Sequence, residues 1–391
     1  MKIGTHAFQR HRFPFLLLLG SLLLLLLSPS AWSWDSTFFD LFEISTSVRA
    51  SAIGGLHAAL ADDSDTLFSN TAGLSSVRPQ WTFGEVALSF YDSAAAIAAE
   101  AIAGTSGSAA DRRGTFSLWG PLAFSYVGKG WGFGLFSSMN VFIHAYGAIP
   151  GAREMLEPNL VLIGAKAFRL PLPARSQSTL DLGFSLVGFA SARGVTETDI
   201  REVLQSKVSF WELMASITNF RRAVGAGVEF GLLYSFQDWL SVGLTGRNLA
   251  FVQIRDFNTL LDYFNGVPSS PWYNFLPLDI TAGVLFRPPL GWFGRYLSDL
   301  KLMVDYHSIF DWLFYPPGAT NPLLHIGLGI ELKLLQIVSL RAGYYQCLPS
   351  AGLGLDFTLF AINFAYFGRE MSSEPGGAPV YCYSMGLEFK Y

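Results

Sequence analysis

Tyr381-Cys382-Tyr383-Ser384-Met385-Gly386-Leu387-Glu388-Phe389-Lys390-Tyr391 closes the chain. Tyr381, Tyr383, Met385, Leu387, Phe389 and Tyr391 share one side of an extended backbone. Ser384, Gly386, Glu388 and Lys390 share the other, because successive side chains of a strand point to opposite faces. One face is therefore apolar along its whole length, and the other is thin and polar. A strand of this kind sits between an apolar medium and a wet, narrow interior.

The same period of two recurs upstream. Leu180, Leu182, Phe184 and Leu186 alternate with Asp181, Gly183 and Ser185. Ile326, Leu328, Ile330 and Leu332 alternate with His325, Gly327, Gly329, Glu331 and Lys333. Leu300, Leu302, Val304 and Tyr306 alternate with Lys301, Asp305 and His307, and Leu278, Ile280, Ala282 and Val284 with Asp279, Thr281 and Gly283. A soluble sandwich also alternates, but its outer face is richly charged. Here 51% of 391 residues are hydrophobic, 15% aromatic and only 14% charged, against about a quarter charged in ordinary soluble domains. No stretch beyond the leader holds 18 apolar residues without a polar break, so spanning by helices is not expected. The pattern predicts an all-β fold, a transmembrane antiparallel β-barrel of about 14 strands. The segments lie near 81–92, 114–127, 131–145, 158–169, 179–193, 221–234, 239–254, 277–287, 299–310, 322–334, 336–347, 351–357, 359–369 and 380–391. Connections alternate in length. Gly128-Lys129-Gly130, Gln237-Asp238 and the join near Leu335 are tight; 93–113, 146–157, 194–220, 255–276, 311–321 and 370–379 are long. Short turns belong on the periplasmic side and long loops outside. The proline-containing turns 170–178 and 288–298 depart from that rule.

Residues 1–33 read as a secretory signal peptide, with Lys2, Arg10 and Arg12, the apolar run 13–27, and small residues Ala31 and Ser33 at the cleavage position. An uncleaved helical anchor is the rival reading. Between leader and strands, 34–80 is too polar and glycine-rich to cross a bilayer and reads as an N-terminal plug, or hatch, inside the barrel, which takes 81–391. Its centre, 47–74, crowds small residues, Ala50, Ala52, Gly54, Gly55, Ala58, Ala59 and Ala61, so that backbone can approach a wall closely. Asp62 and Asp63 follow. Asp63 or Ser64 is expected to cap a helical turn through Phe68, and Asn70 and Gly73 to end it in left-handed conformations.

Arg49-Ala50, Gly54-Gly55, Ala59, Asp62-Asp63, Asn70 and Ala72-Gly73-Leu74 resemble, without a gap, the N-terminal signature of FadL-like outer-membrane transporters, and among them the FadL-like proteins of spirochaetes. Thr71 stands where that family prefers proline. The resemblance implies a plug-gated outer-membrane channel for long-chain fatty acids or other hydrophobic molecules, with Arg49, Gly54, Gly55, Asp62, Asp63, Asn70 and Gly73 forming the plug or gate. Relatives that serve secretion machines share the signature. The alternative is therefore a scaffold or shuttle that binds exported proteins through its outer loops. The terminal aromatic after an alternating strand resembles the assembly signal of outer-membrane barrels. It makes Phe389 and Tyr391 the residues expected to meet the barrel-assembly machinery.

No catalytic motif is present: no G-x-S-x-G elbow, no H-E-x-x-H, no P-loop. An Asp305–His307 pair served by a serine would be an enzymatic arrangement, but polar lumen positions are the expected role of both residues. No enzyme, cofactor or metal is expected. The net charge of −4 offers no footprint for nucleic acid. Cys347 and Cys382 make no metal pattern, and non-adjacent strands argue against a disulfide between them. The inward charges have both signs and are expected to pair across strands, leaving Arg247 or Arg341, whose planar fork suits a carboxylate, for a ligand. Trp211 lies among helically spaced apolar residues in 197–219, and Phe257 and Phe264 in the aromatic loop 255–276. These are either a landing site for an apolar ligand or rim elements in contact with outer-membrane lipid. A monomer is expected.

Overall fold

The computed structural model describes residues 47–92, 112–146, 151–196, 209–291, 294, 296–314 and 316–391. The expected signal peptide and residues 34–46 of the plug region lie outside the described residues. So do 93–111 and 197–208, and with them much of two expected long loops.

Fifteen strand segments follow one another: β1 Gln80–Asp92, β2 Arg112–Gly128, β3 Trp131–Tyr146, β4 Gly151–Leu170, β5 Ser178–Thr196, β6 Thr218–Phe236, β7 Leu240–Thr259, β8 Trp272–Leu276, β9 Asp279–Phe286, β10 Leu297–Tyr306, β11 Ile326–Leu334, β12 Val338–Tyr345, β13 Leu348–Phe357, β14 Phe360–Glu370 and β15 Pro379–Lys390. They make fourteen staves. β8 and β9 both pair with β7, at Ala250–Ile254 and Leu240–Arg247 respectively. They are one stave interrupted at Pro277-Leu278, where proline has no N–H to offer a ladder. Each stave pairs antiparallel with the next in sequence, and β1 pairs with β15 to close the cylinder. The seam is finished by Trp81 and Tyr391, which exchange backbone bonds of 2.7 and 2.8 Å. Closure leaves no sheet edge to be satisfied in hydrocarbon.

The alternation sorts as expected. Leu162, Phe184, Leu186, Val304 and Tyr383 stand on the outer face, while Asp181, Lys301, Asp305 and Glu331 are buried inside. This is a transmembrane barrel of outer-membrane type, with its apolar band outside. At the end opposite the long loops, several turns are tight. Lys129-Gly130 and Leu335-Gln336 carry positive φ, as twisted two- and three-residue hairpins need.

Several strands run beyond their expected ends. Residues 151–157, expected in a loop, continue β4, and 255–259 continue β7. The charges that make 151–157 look loop-like are turned inward: Glu154 and Glu157 are buried, and Glu157 meets Arg193 at 3.1 Å. The rest of loop 255–276 is the short helix Leu260–Phe264 and strand β8. Helix Phe210–Ser216 occupies part of the expected helical stretch 197–219, begun by a capping box of Ser209 and Glu212. Cys347, in the two-residue turn between β12 and β13, and Cys382, buried on β15, are both free thiols.

Residues 47–79 fill the bore. Helix α1, Val48–Ala52, is capped by the Ser47 hydroxyl, which accepts from Ala50 N at 3.1 Å. The chain then reverses at Gly54 and Gly55, with φ of 83° and 111°. Helix α2, Thr66–Ser69, leads into the 3-10 turn Thr71–Ser75. Two expectations are corrected here. Neither Asp63 nor Ser64 is the cap of α2; the capping position is Asp65, with no side-chain cap bond. Asn70 and Gly73 are not left-handed either. Asn70 is extended at φ −155° and lends its side chain to its surroundings. Gly73 sits inside the 3-10 turn and is small because a Cβ there would overlap the Ala61 methyl.

Candidate functional site: the plugged lumen

The inward glycines of the staves are the places where the plug touches the wall. A Cβ on Gly343 would strike the Ile53–Gly54 backbone, one on Gly329 the Ile53 carbonyl, one on Gly243 the Ala58 carbonyl, and one on Gly183 the Thr71–Ala72 backbone. The small residues of 47–74 and the glycines of the lumen are thus two halves of one close fit. Apolar contacts complete it: Phe68 packs edge-on against Phe136 at 4.7 Å and Trp119 at 5.9 Å.

Among the polar bonds that fix the plug, three groups are buried deepest in the contact. The largest is centred on Arg49, whose side chain is 12% exposed. Its Nε and Nη2 each donate to Glu331 at 2.8 Å, and Nη1 and Nη2 grip Asp62 at 2.8 and 3.0 Å; Nη1 also meets Asp63. Lys301 Nζ bridges Asp62 and Glu331, both at 2.7 Å. Arg341 holds Glu331 at 2.8 Å and Asn363 at 2.7 Å. Burial works against charge on Arg49 and Asp62 alike, but their partners win. Asp62, Asp63 and Glu331 hold the guanidinium well above its ordinary range, and Arg49 with Lys301 holds the Asp62 carboxyl well below 3.8. Nearby Asp65 goes the other way, raised by burial and by Asp63 and Glu85.

The second point is His57. Its Nδ1 faces Asp305 and its Nε2 faces the Ile53 carbonyl at 2.8 Å, with both side chains fully buried. Both ring nitrogens face acceptors, so a proton lies between imidazole and carboxylate. The other Asp305 oxygen accepts from Ala58 N at 2.7 Å. Asp305 therefore serves the plug and not His307. The third point is Asn70, whose amide donates to Ala58 O at 2.6 Å and Leu232 O at 3.0 Å. Arg247 adds a bond to Phe68 O at 3.2 Å while pairing with Asp279 at 3.2 Å.

Among the described residues, two unlike chambers lie on either side of the plug. The one toward the long loops has a volume of about 240 Å³ and is bounded by Gly54 and Leu56 of the plug, by Leu278 and Ile280 at the broken stave, and by Phe310, Phe314, Leu348 and Phe367. Arg247, Arg369 and His307, together with Asp279 and Asp311, supply its polar edge. The chamber toward the short turns, of about 190 Å³, is lined by charge: Asp63, Asp65, Glu85, Lys333, Asp356, Glu388 and Lys390 among others.

The two arginines expected to share a ligand role are separated. Arg247 borders the upper chamber, whereas Arg341 belongs to the lock around Glu331 and lines the lower one. Phe257, Trp211 and Phe264 are not in the lumen. Phe257 packs with Phe220 and Tyr263, and Trp211 and Phe264 are 78% and 69% exposed at the loop rim. Phe389 and Tyr391 face outward on the closing strand, 48% and 80% exposed. Lys301 and Glu331 were legible only as inward charges; nothing in the spacing tied them to Asp62. Arg369 was missed, although its place opposite the outward Phe364 and Tyr366 in β14 marks it as inward.

A closed fourteen-stave barrel, apolar outside and stoppered by its own N-terminal segment, defines a plugged outer-membrane β-barrel. No family model matches the chain, and no curated protein matches it. Among solved structures, its path is similar to that of the toluene transporter TodX of Pseudomonas putida, at 13% identity and a TM-score of 0.45 over 92% of this chain and 98% of that one. It is similar also to the toluene transporter TbuX of Ralstonia pickettii, at 12% identity and 0.46 over 90% and 99%. A FadL homologue of Pseudomonas aeruginosa follows, at 11% identity and 0.44 over 88% and 98%.

Proposed function

We propose that this protein is a plug-gated outer-membrane channel for the uptake of hydrophobic small molecules, with long-chain fatty acids as the first class to test. The observation that supports the reading most is the contrast across the plug. An apolar chamber edged by Arg247 and Arg369 lies toward the long loops, and a charged chamber lies toward the short turns. An amphiphile can rest its chain on Leu278, Phe310 and Phe367 and its carboxylate near the arginines. Transfer is diffusive and follows a shift of the plug. Arg49, Gly54, Gly55, Asp62, Asp63, Asn70 and Gly73 are the gate in this reading.

The test is equilibrium binding of a labelled fatty acid to the purified barrel in detergent, with folding checked by heat-modifiable migration. Saturable binding near one ligand per chain is expected. Folded protein without saturable binding removes the proposal, and a stoichiometric protein partner captured on the outer loops replaces it with the scaffold reading.

A further inference from the structure

Two arginines stand on the lipid side of the wall with no counter-charge among the described residues. Val224 and Val228 of β6 face outward while Ala223 is fully buried; Phe251 of β7 faces outward while Val252 and Ile254 are buried. By the same alternation Arg222 and Arg255 face outward, and both are exposed. They are register partners across the β6–β7 ladder. Side chains so placed have Cβ atoms about 5 Å apart, and like charges there repel. Asp256, the acid beside them, belongs by the same alternation to the opposite face; half exposed there, it accepts from Arg221 Nε at 2.6 Å and Trp272 Nε1 at 2.9 Å. Among the described residues neither Arg222 nor Arg255 has a carboxylate partner.

Their surroundings resemble a membrane interface. Toward the barrel middle the outer face is apolar, with Phe251 stacked on Tyr273 at 5.3 Å. Toward the rim, Phe220 and Phe257 are covered by Tyr263 at 5.4 and 5.5 Å, and the Arg222 guanidinium lies 5.7 Å from the Tyr263 ring. The helices Phe210–Ser216 and Leu260–Phe264 lie just beyond and expose Trp211 and Phe264. Aromatic rings on the outer surface at the end of the apolar band mark headgroup depth.

We propose that Arg222 and Arg255 together grip the phosphate of a lipid in the leaflet at the long-loop end. Two planar forks on adjacent strands can each give paired N–H donors to one tetrahedral anion, and that anion removes the repulsion between them. A membrane phospholipid is the occupant because the pair faces hydrocarbon on one side and headgroups on the other. The inference is independent of what passes through the lumen.

Native mass spectrometry of the full chain decides it, in micelles doped with phosphatidylglycerol or, separately, with a galactosyl diacylglycerol that has no phosphate. The wild type retains one phosphatidylglycerol and no galactolipid. R222Q/R255Q loses that adduct, with affinity down roughly tenfold or more, while R222K/R255K keeps part of it. Both side chains are exposed, so heat-modifiable migration stays unchanged. Equal retention of phosphatidylglycerol by R222Q/R255Q, equal retention of the galactolipid by the wild type, or displacement of the lipid by millimolar inorganic phosphate overturns the proposal.

Discussion

Arg49→Ala is the sharpest perturbation of the plug. The guanidinium is nearly buried and donates to Asp62, Asp63 and Glu331. Removing it leaves Asp62 and Glu331 to Lys301 and Arg341, and Asp63 to the Asp65 N–H; of the three carboxylates, Glu331 is 5% exposed. Breaking a buried pair in this way costs about 3–5 kcal/mol. That energy is lost from the seated plug, not from the barrel, whose ladders do not involve Arg49. The ratio of unseated to seated plug therefore rises by roughly 10²- to 10³-fold or more, at about 1.4 kcal/mol per factor of ten. The assay is conductance of single barrels in planar bilayers. Wild type stays closed with rare brief openings, and R49A opens frequently or continuously. Glu331→Gln in the same background adds little, because the two changes break one network. A closed R49A barrel with normal heat-modifiable migration refutes the view that this network seats the plug.

Other outcomes follow from the same contacts. Gly343→Val places a side chain on the Ile53–Gly54 backbone, and raised conductance with an intact barrel checks that the inward glycines are there for the plug. His57→Ala takes the imidazole from the fully buried Asp305 carboxylate and leaves it the Ala58 N–H, so the plug should become accessible to protease at a rate raised about tenfold or more. For pH, Asp62 is held well below 3.8 in the folded state, so its contribution is complete above its unfolded value and fades only as pH falls through the depressed one. Conductance should stay low at pH 4 and rise only in stronger acid; opening between pH 6 and pH 4 contradicts that assignment. Deletion of Tyr391 removes both backbone bonds to Trp81 that finish the seam, and folded barrel recovered from membranes should drop severalfold while the unassembled chain accumulates.

The staves were legible because lipid and lumen impose opposite demands on alternate residues. Leu180–Leu186 and Tyr381–Tyr391 could be sorted into faces without any partner in view. Where strand ends were misplaced, as at 151–157, inward carboxylates had the composition of a loop. The partner of Glu157, Arg193, lies on the next strand, a pairing that spacing alone does not give. The plug was legible as a small-residue segment, but its internal turns were not. Gly73 reads as a helix stop because glycine often ends helices; in the fold it answers to the Ala61 methyl across a fold-back. The bonds from Asp62 to Lys301 and from His57 to Asp305 span 239 and 248 positions. Inward parity names Lys301 and Asp305 but not their plug partners, and only the closed barrel brings the two together. Trp211 and Phe264 were bound to stay ambiguous, since a rim helix and a landing site ask for the same residues.

Photo-crosslinking with a palmitate that carries a diazirine near the end of its chain tests the central claim most directly. If the chamber above the plug is the ligand's resting place, crosslinked peptides from the folded barrel map to 277–280, 310–314 and 367, and unlabelled palmitate competes them away. Crosslinks confined to the outer wall or the rim helices, with none inside the chamber, contradict the account.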